Sequence, residues 1–96
     1  MYRIAEKRFL NSTVAEMKIE APMVAKKAEA GQFIILRTDE SGERIPLTVA
    51  GADRERGTVR IILQVVGATT EKLSRMEAGE CLHDFVGPLG TATKLD

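Results

Sequence analysis

The sequence is short of the residues that build covalent or metal-held chemistry. Cys81 is its one cysteine and His83 its one histidine. A lone thiol excludes an intrachain disulfide, a thiolate zinc site and an iron–sulfur cluster held by this chain. No serine sits in a nucleophile elbow, so hydrolase chemistry lacks its parts. Charge does not lean either way, with 14 Lys and Arg against 14 Asp and Glu. Nucleic-acid binding draws on an excess of cations to displace counterions, and an anionic membrane surface needs the same excess. Tryptophan is absent and four aromatics, Tyr2, Phe9, Phe33 and Phe85, make up the whole set. No stretch approaches the roughly twenty apolar residues of a membrane span, and no signal-peptide core opens the chain. A cytoplasmic protein without nucleic-acid or membrane partners is the expectation.

What is present is one domain's worth of chain, residues 1–96, of which 44% is apolar. Strand signals dominate. Tyr2 and Ile4 share one phase and Phe9 the other, as in a strand that bends or bulges. Asn11-Ser12 reads as a hairpin turn. Residues 13–20 then alternate, with Ala15, Met17 and Ile19 on one side and Glu16, Lys18 and Glu20 on a wet one. Pro22 ends that strand. Residues 23–32 fit either a helical turn or a plain turn, the latter preferred. Phe33 to Arg37 is a short apolar strand, and Glu43 to Val49 a further one in which Pro46 demands an edge, a bulge or a ligand-facing position. Gly51 to Gly57 reads as a polar connector. Thr58 to Val66, β-branched on both faces, is the expected central strand. A short helix follows over Glu71 to Glu77 with a threonine N-cap and Gly79 as its stop. Cys81 to Val86 returns to strand before Gly87-Pro88-Leu89-Gly90 turns the chain. Met17, Met23 and Met76 read as core filler. The sum is an all-β fold, a small six-stranded antiparallel Greek-key β-barrel with one short helix.

Three segments carry potential chemistry. In Arg44-Ile45-Pro46-Leu47-Thr48, proline stiffens an extended backbone and lacks a ladder donor, so its neighbours are free to offer main-chain groups to a ligand. At Gly67-Ala68-Thr69-Thr70, free N–H groups and two hydroxyls suit an anion the size of a phosphate. Gly87-Pro88-Leu89-Gly90 is by itself only a turn. Taken singly, each is more often plain structure: an edge strand, a helix cap, a turn. His83 and Cys81 lie one strand step apart, but two ligands do not make a metal site, and none is expected.

Pro-Leu-Thr on a strand, a central strand about fifteen residues on, Gly-x-Thr-Thr opening a helix, and then Gly-Pro-Leu-Gly stand in an order that resembles the FAD-binding barrel of the ferredoxin–NADP reductase superfamily. Glu29-Ala30-Gly31-Gln32-Phe33-Ile34 looks like a further landmark of that family. Within it, the chain looks most similar to the alpha subunits of NADH-dependent ferredoxin–NADP reductases and to the electron-transfer subunits of dihydroorotate dehydrogenases. The resemblance implies FAD as cofactor. It places Ile45, Pro46, Leu47 and Thr48 along the flavin, and Ile62, Leu63 and Gln64 beside the ribityl and adenosine side. Gly67, Thr69 and Thr70 would hold the pyrophosphate. The family's arginine position is filled by Ile45, with Arg44 one place earlier as a cation for the same group.

The resemblance also implies partners: a nicotinamide-binding domain and an iron–sulfur or dehydrogenase subunit, both expected to lie outside this chain. The barrel would then bind flavin for an NAD(P)H-linked electron-transfer oxidoreductase without being catalytically complete, and no catalytic residue is assigned. A homodimer through the uncovered face is a further expectation. The rival readings are a cofactor-free interaction barrel and an oligonucleotide-binding module.

Overall fold

The computed structural model describes residues 2–90. Seven strands and two short helices follow one another as β1 (Tyr2–Phe9), β2 (Val14–Glu20), α1 (Pro22–Ala25), β3 (Phe33–Arg37), β4 (Ile45–Asp53), β5 (Thr58–Gln64), α2 (Ala68–Ser74), β6 (Cys81–Leu82) and β7 (Asp84–Leu89). Every pairing is antiparallel, in the order β6-β1-β2-β5-β4-β3-β7. The chain β3-β4-β5 runs as adjacent strands while β2 lies beside β5, which is the Greek-key arrangement. β5 takes the centre, as its composition predicts.

The two ends of this order are β6 and β7, and His83 alone separates them in sequence. One residue cannot span a flat seven-stranded sheet whose neighbours lie roughly 4.8 Å apart, so the sheet must curl until its edges meet. The Tyr2 ring of β1 and the Phe85 ring of β7 lie 5.9 Å apart across that seam. The result is a nearly closed barrel. Its interior takes alternate residues from each strand: Ala15, Met17 and Ile19; Ile34 and Leu36; Val59, Ile61 and Leu63. Leu73 of α2 and Val24 and Ala25 of α1 are buried in the same core.

Several expectations change. Seven strands replace six because residues 81–86 divide: β6 pairs with β1, the His83 N–H bonds the Arg37 carbonyl at 2.9 Å, and β7 then pairs with β3. Two helices replace one, since Pro22 stops β2 but also sits at the first helical position of α1, where its missing N–H costs nothing. β4 runs on to Asp53 because it gains β5 as partner past Val49, so the expected connector is partly strand. Gly87-Pro88-Leu89 belongs to β7 and is not a turn. A Cβ on Gly87 would stand 2.6 Å from the Ile34 Cγ2, so the missing side chain lets β7 lie close over β3. Met23 is 75% exposed and fills no core, whereas Met17 is fully buried and Met76 packs against the core edge. Glu16, expected on a wet face, is buried. The β1 bend is present as a register shift between Ile4 and Glu6.

Gly87→Ala is expected to lower unfolding free energy by about 1–3 kcal/mol, the usual cost of forcing an atom into a packed site. Urea unfolding followed by circular dichroism checks this, with Gly67→Ala as the comparison, because Gly67 is extended at φ −177° and no atom lies within 4 Å of a Cβ built there.

Candidate functional site

β4 changes partner along its length. Its first arm, Ile45 to Thr48, pairs with β3; its second, Val49 to Asp53, pairs with β5, with a register shift between Val49 and Gly51. Pairing between β4 and β5 therefore stops at Val49 opposite Ile61. Beyond that point Pro46–Thr48 and Ile62–Gln64 part company, and a fork opens between two strands of the same barrel.

The edge that β4 turns to this fork is rich in free main-chain groups. The Val49 N–H donates to the Gln32 carbonyl at 2.7 Å and its carbonyl accepts from Gly31 at 3.1 Å, so Val49 faces β3. Alternation then aims the N–H of Thr48 and the carbonyl of Pro46 at the fork, while the Thr48 carbonyl closes the last rung at the Val49–Ile61 pair. Proline at 46 has no N–H to leave unpaired on that side. Ile45 is buried, whereas Pro46 and Thr48 are exposed on the outer face and Leu47 is half-buried. Across the fork Leu63 is buried and Ile62 and Gln64 are exposed.

The open end of the fork lies beside the start of α2. Gly67, extended at φ −177°, is the N-cap, one turn earlier than the threonine expected for that role. Thr70 caps from inside the helix instead. Its hydroxyl accepts from the N–H groups of Val66 (2.9 Å) and Gly67 (3.1 Å). The loop before β4 is tied across to this helix. The Thr69 hydroxyl donates to the Glu43 carboxylate at 3.0 Å, and Lys72 pairs with Asp39. Two of the segments singled out in sequence, Arg44–Thr48 and Gly67–Thr70, are thus brought together through Glu43.

The third segment contributes a surface. Register sets Phe33 beside Thr48 and Leu89, and Ile35 beside Pro46 and Val86. Phe33 is 38% exposed and Val86 54%. β3 reads Phe-Ile-Ile-Leu because both of its faces are apolar, and a strand apolar on both faces is one with cover on both. That run was the signal in the sequence for Phe33 and Ile35, and Val86 joins them only through its register on β7; none of the three was singled out there as a site residue. Ile35, Leu36, Arg44, Asp84 and Val86 also line a cavity of about 290 Å3 at this corner. Asp84 is held there by Arg37 at 2.6 and 2.7 Å, and Arg44 is an exposed cation at the rim. Among the described residues no cluster of His, Cys, Asp or Glu is placed to hold a metal, and no helix is long and apolar enough to cross a membrane.

No family profile matches the chain. Individual proteins do. It is 51% identical over 94 residues to the uncharacterized protein in the adh 3′ region of Clostridium beijerinckii, covering 98% of this chain and 32% of that protein. It is 42% identical over 93 residues to the dihydroorotate dehydrogenase B (NAD+) electron transfer subunit homolog of Thermotoga maritima, covering 97% of this chain and 33% of that one. Among solved structures, one reported for NADH-dependent reduced ferredoxin–NADP oxidoreductase and flavin-based electron bifurcation superimposes with a TM-score of 0.93 at 41% identity. That match covers 98% of this chain and 34% of the solved chain. The chain spans about a third of the length of the relatives it matches.

The tether between loop and helix is pH-dependent. Its hydrogen bond from Lys72, helped by the Ser41 hydroxyl and N–H, holds the Asp39 carboxyl below its ordinary value. A carboxyl lowered in the folded state stabilises above its unfolded value and loses that contribution as pH falls through the folded one. The Lys72–Asp39 tie is therefore expected to persist down to below roughly pH 3.9, the ordinary aspartate value, and to be lost under further acid. Asp39→Asn removes the ion pair at every pH and leaves the Thr69–Glu43 hydrogen bond as the other tie. Amide chemical shifts of Thr69 and Lys72, followed through an acid titration, read both.

Proposed function

The chain belongs, as a barrel domain, to the ferredoxin–NADP reductase superfamily, in the group of electron-transfer subunits it matches, and we propose that it holds FAD in the fork between β4 and β5. One observation carries this reading: two strands of a closed sheet separate where one of them offers unpaired main-chain groups beside an uncovered apolar face.

The residues present suit the group. An isoalloxazine is a flat apolar ring edged with hydrogen-bonding atoms, and the fork supplies both kinds of neighbour. Pro46 and Leu47 give apolar contact; the Thr48 hydroxyl and N–H give donors at the reactive edge. Ile62, Leu63 and Gln64 line the opposite arm beside the ribityl and adenosine side. Gly67 and Thr69 meet the pyrophosphate, with Thr70 behind them bracing the loop, and Arg44 supplies a positive charge from the rim. Ile45 is the buried anchor that fixes this strand to the core.

Two residues resist the ligand. Glu43 sets a carboxylate on Thr69, where a phosphate would be repelled by it, so binding requires that side chain to turn away. Thr70 is occupied with its own loop, so its contribution is to hold the Val66–Gly67 backbone in place while other groups meet the phosphate.

FAD, when bound, accepts a two-electron hydride and releases electrons singly, which joins nicotinamide chemistry to iron–sulfur chemistry. The chain's part is to bind, orient and shield that ring. The nicotinamide donor and the iron–sulfur or dehydrogenase acceptor belong to partner domains, and the apolar face of Phe33, Ile35 and Val86 is the surface left for cover. Without a partner, two copies of the barrel would cover that face with each other.

A flavin fluorescence titration of the purified chain, FAD against FMN, tests the proposal. Saturable quenching is expected, stronger for FAD. Thr48→Ala should weaken it by roughly two- to tenfold, the worth of about one hydrogen bond. Glu43→Gln should strengthen it, and that gain should be absent for riboflavin, which carries no phosphate. A chain that quenches neither flavin, alone or joined to the remaining length of its relatives, would leave the cofactor-free interaction barrel.

A further inference from the structure

A carboxylate buried on the outer face of a barrel needs an explanation. Glu16 faces away from the core, since its neighbours Ala15 and Met17 are the ones that face in, yet its side chain is only 9% exposed. Register places it between Arg8 of β1 and Ile62 of β5. Arg8 reaches it at 3.3 Å and Arg60 at 3.4 Å, from opposite sides. A buried carboxylate with one partner removed is costly, so each arginine is constrained by the other's share of Glu16.

Arg60 does something besides. Its Nη2 donates at 3.1 Å to the carbonyl of Ala50, the residue skipped where β4 shifts register between Val49 and Gly51. That carbonyl points at β5 but has lost its place in the ladder, and the guanidinium stands in for the missing strand partner. Ala50 is the crotch of the fork: the last rung with β5 closes at Val49 opposite Ile61, and β4 before Thr48 has left β5. Bulges set the local bend of a strand, so whatever fixes Ala50 fixes the angle at which Pro46–Thr48 diverges.

We propose that Arg60, braced by Glu16 and Arg8, is a positioning residue that sets the opening of the flavin fork through the Ala50 carbonyl. The inference rests on the flavin reading for its consequence but on the clamp alone for its mechanism. The cavity of about 610 Å3 above these residues is not an anion site, because each cation lining it already has a carboxylate. Arg8 and Arg60 share Glu16, Lys18 meets Glu6 at 2.9 Å, and Arg56 lies 3.9 Å from Asp53.

Arg60→Met keeps the side-chain stem and deletes the donor. In the flavin-free chain, hydrogen exchange across residues 48–51 should quicken by about tenfold while exchange in β2 and β5 stays slow. With FAD added, the dissociation constant should rise by about tenfold and the visible absorption bands of the bound flavin should shift. Arg60→Lys restores one donor but not the fork-shaped pair, and should recover part of both effects. Should Arg60→Met not fold, Arg8→Met loosens the same clamp from its exposed side and should produce the same changes in smaller measure. A folded Arg60→Met, or failing that Arg8→Met, with exchange across 48–51 unaltered would overturn the clamp. Faster exchange with FAD affinity and spectrum unaltered would overturn its role in positioning. An unmodified chain that ignores FAD would instead count against the flavin reading, and the exchange measurement would still judge the clamp.

Discussion

The structure turns on β4 serving two neighbours in succession. A strand can keep its hydrogen bonds on both edges only while both partners stay in register, and β4 gives up one edge at a time. Up to Thr48 it belongs with β3 and β7; from Val49 it belongs with β5 and β2. This exchange lets a sheet of seven strands bend tightly enough to meet itself, and it leaves a short length of main chain uncommitted on the outside. Barrel closure and the exposed polar edge are the same event seen from the two faces of one strand.

Around that strand the chain places contacts that hold the opening in one shape. Arg60 takes the stranded carbonyl at one end; Glu43, Asp39, Thr69 and Lys72 bind loop to helix at the other. None of these contacts is strong by itself. Exposed ion pairs contribute well under 1 kcal/mol each as a rule, so the stability of the domain rests on the buried Ile, Leu, Val and Met side chains. What the polar contacts decide is geometry. Among the described residues, the one carboxylate that is buried, Glu16, is also the one held by arginines from two strands.

Much of this was legible in the sequence, and the part that was not has a common cause. Alternation gave the inward face of β2, and apolar or β-branched runs gave the span of β3 and the central place of β5, because residues such as Met17, Leu36 and Ile61 follow a local rule. Order along the chain identified the family from Pro46-Leu47-Thr48 and Gly87-Pro88-Leu89-Gly90. Misreadings arose where a residue answers to a distant partner. His83 divides a strand because Arg37 waits for its N–H; Thr70 caps a helix from within; Glu16 is buried by Arg8 and Arg60 and not by hydrophobicity. Phe33 and Ile35 were legible in principle, since an apolar run on both faces of a short strand signals cover on both, whereas Val86 joins them only through pairing. The fork itself was not, because pairing is a property of two strands and neither sequence alone records where they separate.

The single-residue step at His83 sets the order in which such a chain can become a folded object. The strands that seal the barrel, β6 against β1 and β7 against β3, are the last two made, and the first reaches back across most of the chain, the second across about half of it. On a ribosome, everything up to Glu80 can emerge and still present two raw sheet edges, with Leu36 and Ile4 short of their final neighbours. Cooperative folding must therefore wait for Leu89, and contacts so distant in sequence make that last step slow. Until it happens, the edges of β1 and β3 are open to any extended peptide nearby, so a nascent chain of this kind depends on rapid completion or on a chaperone to stay single.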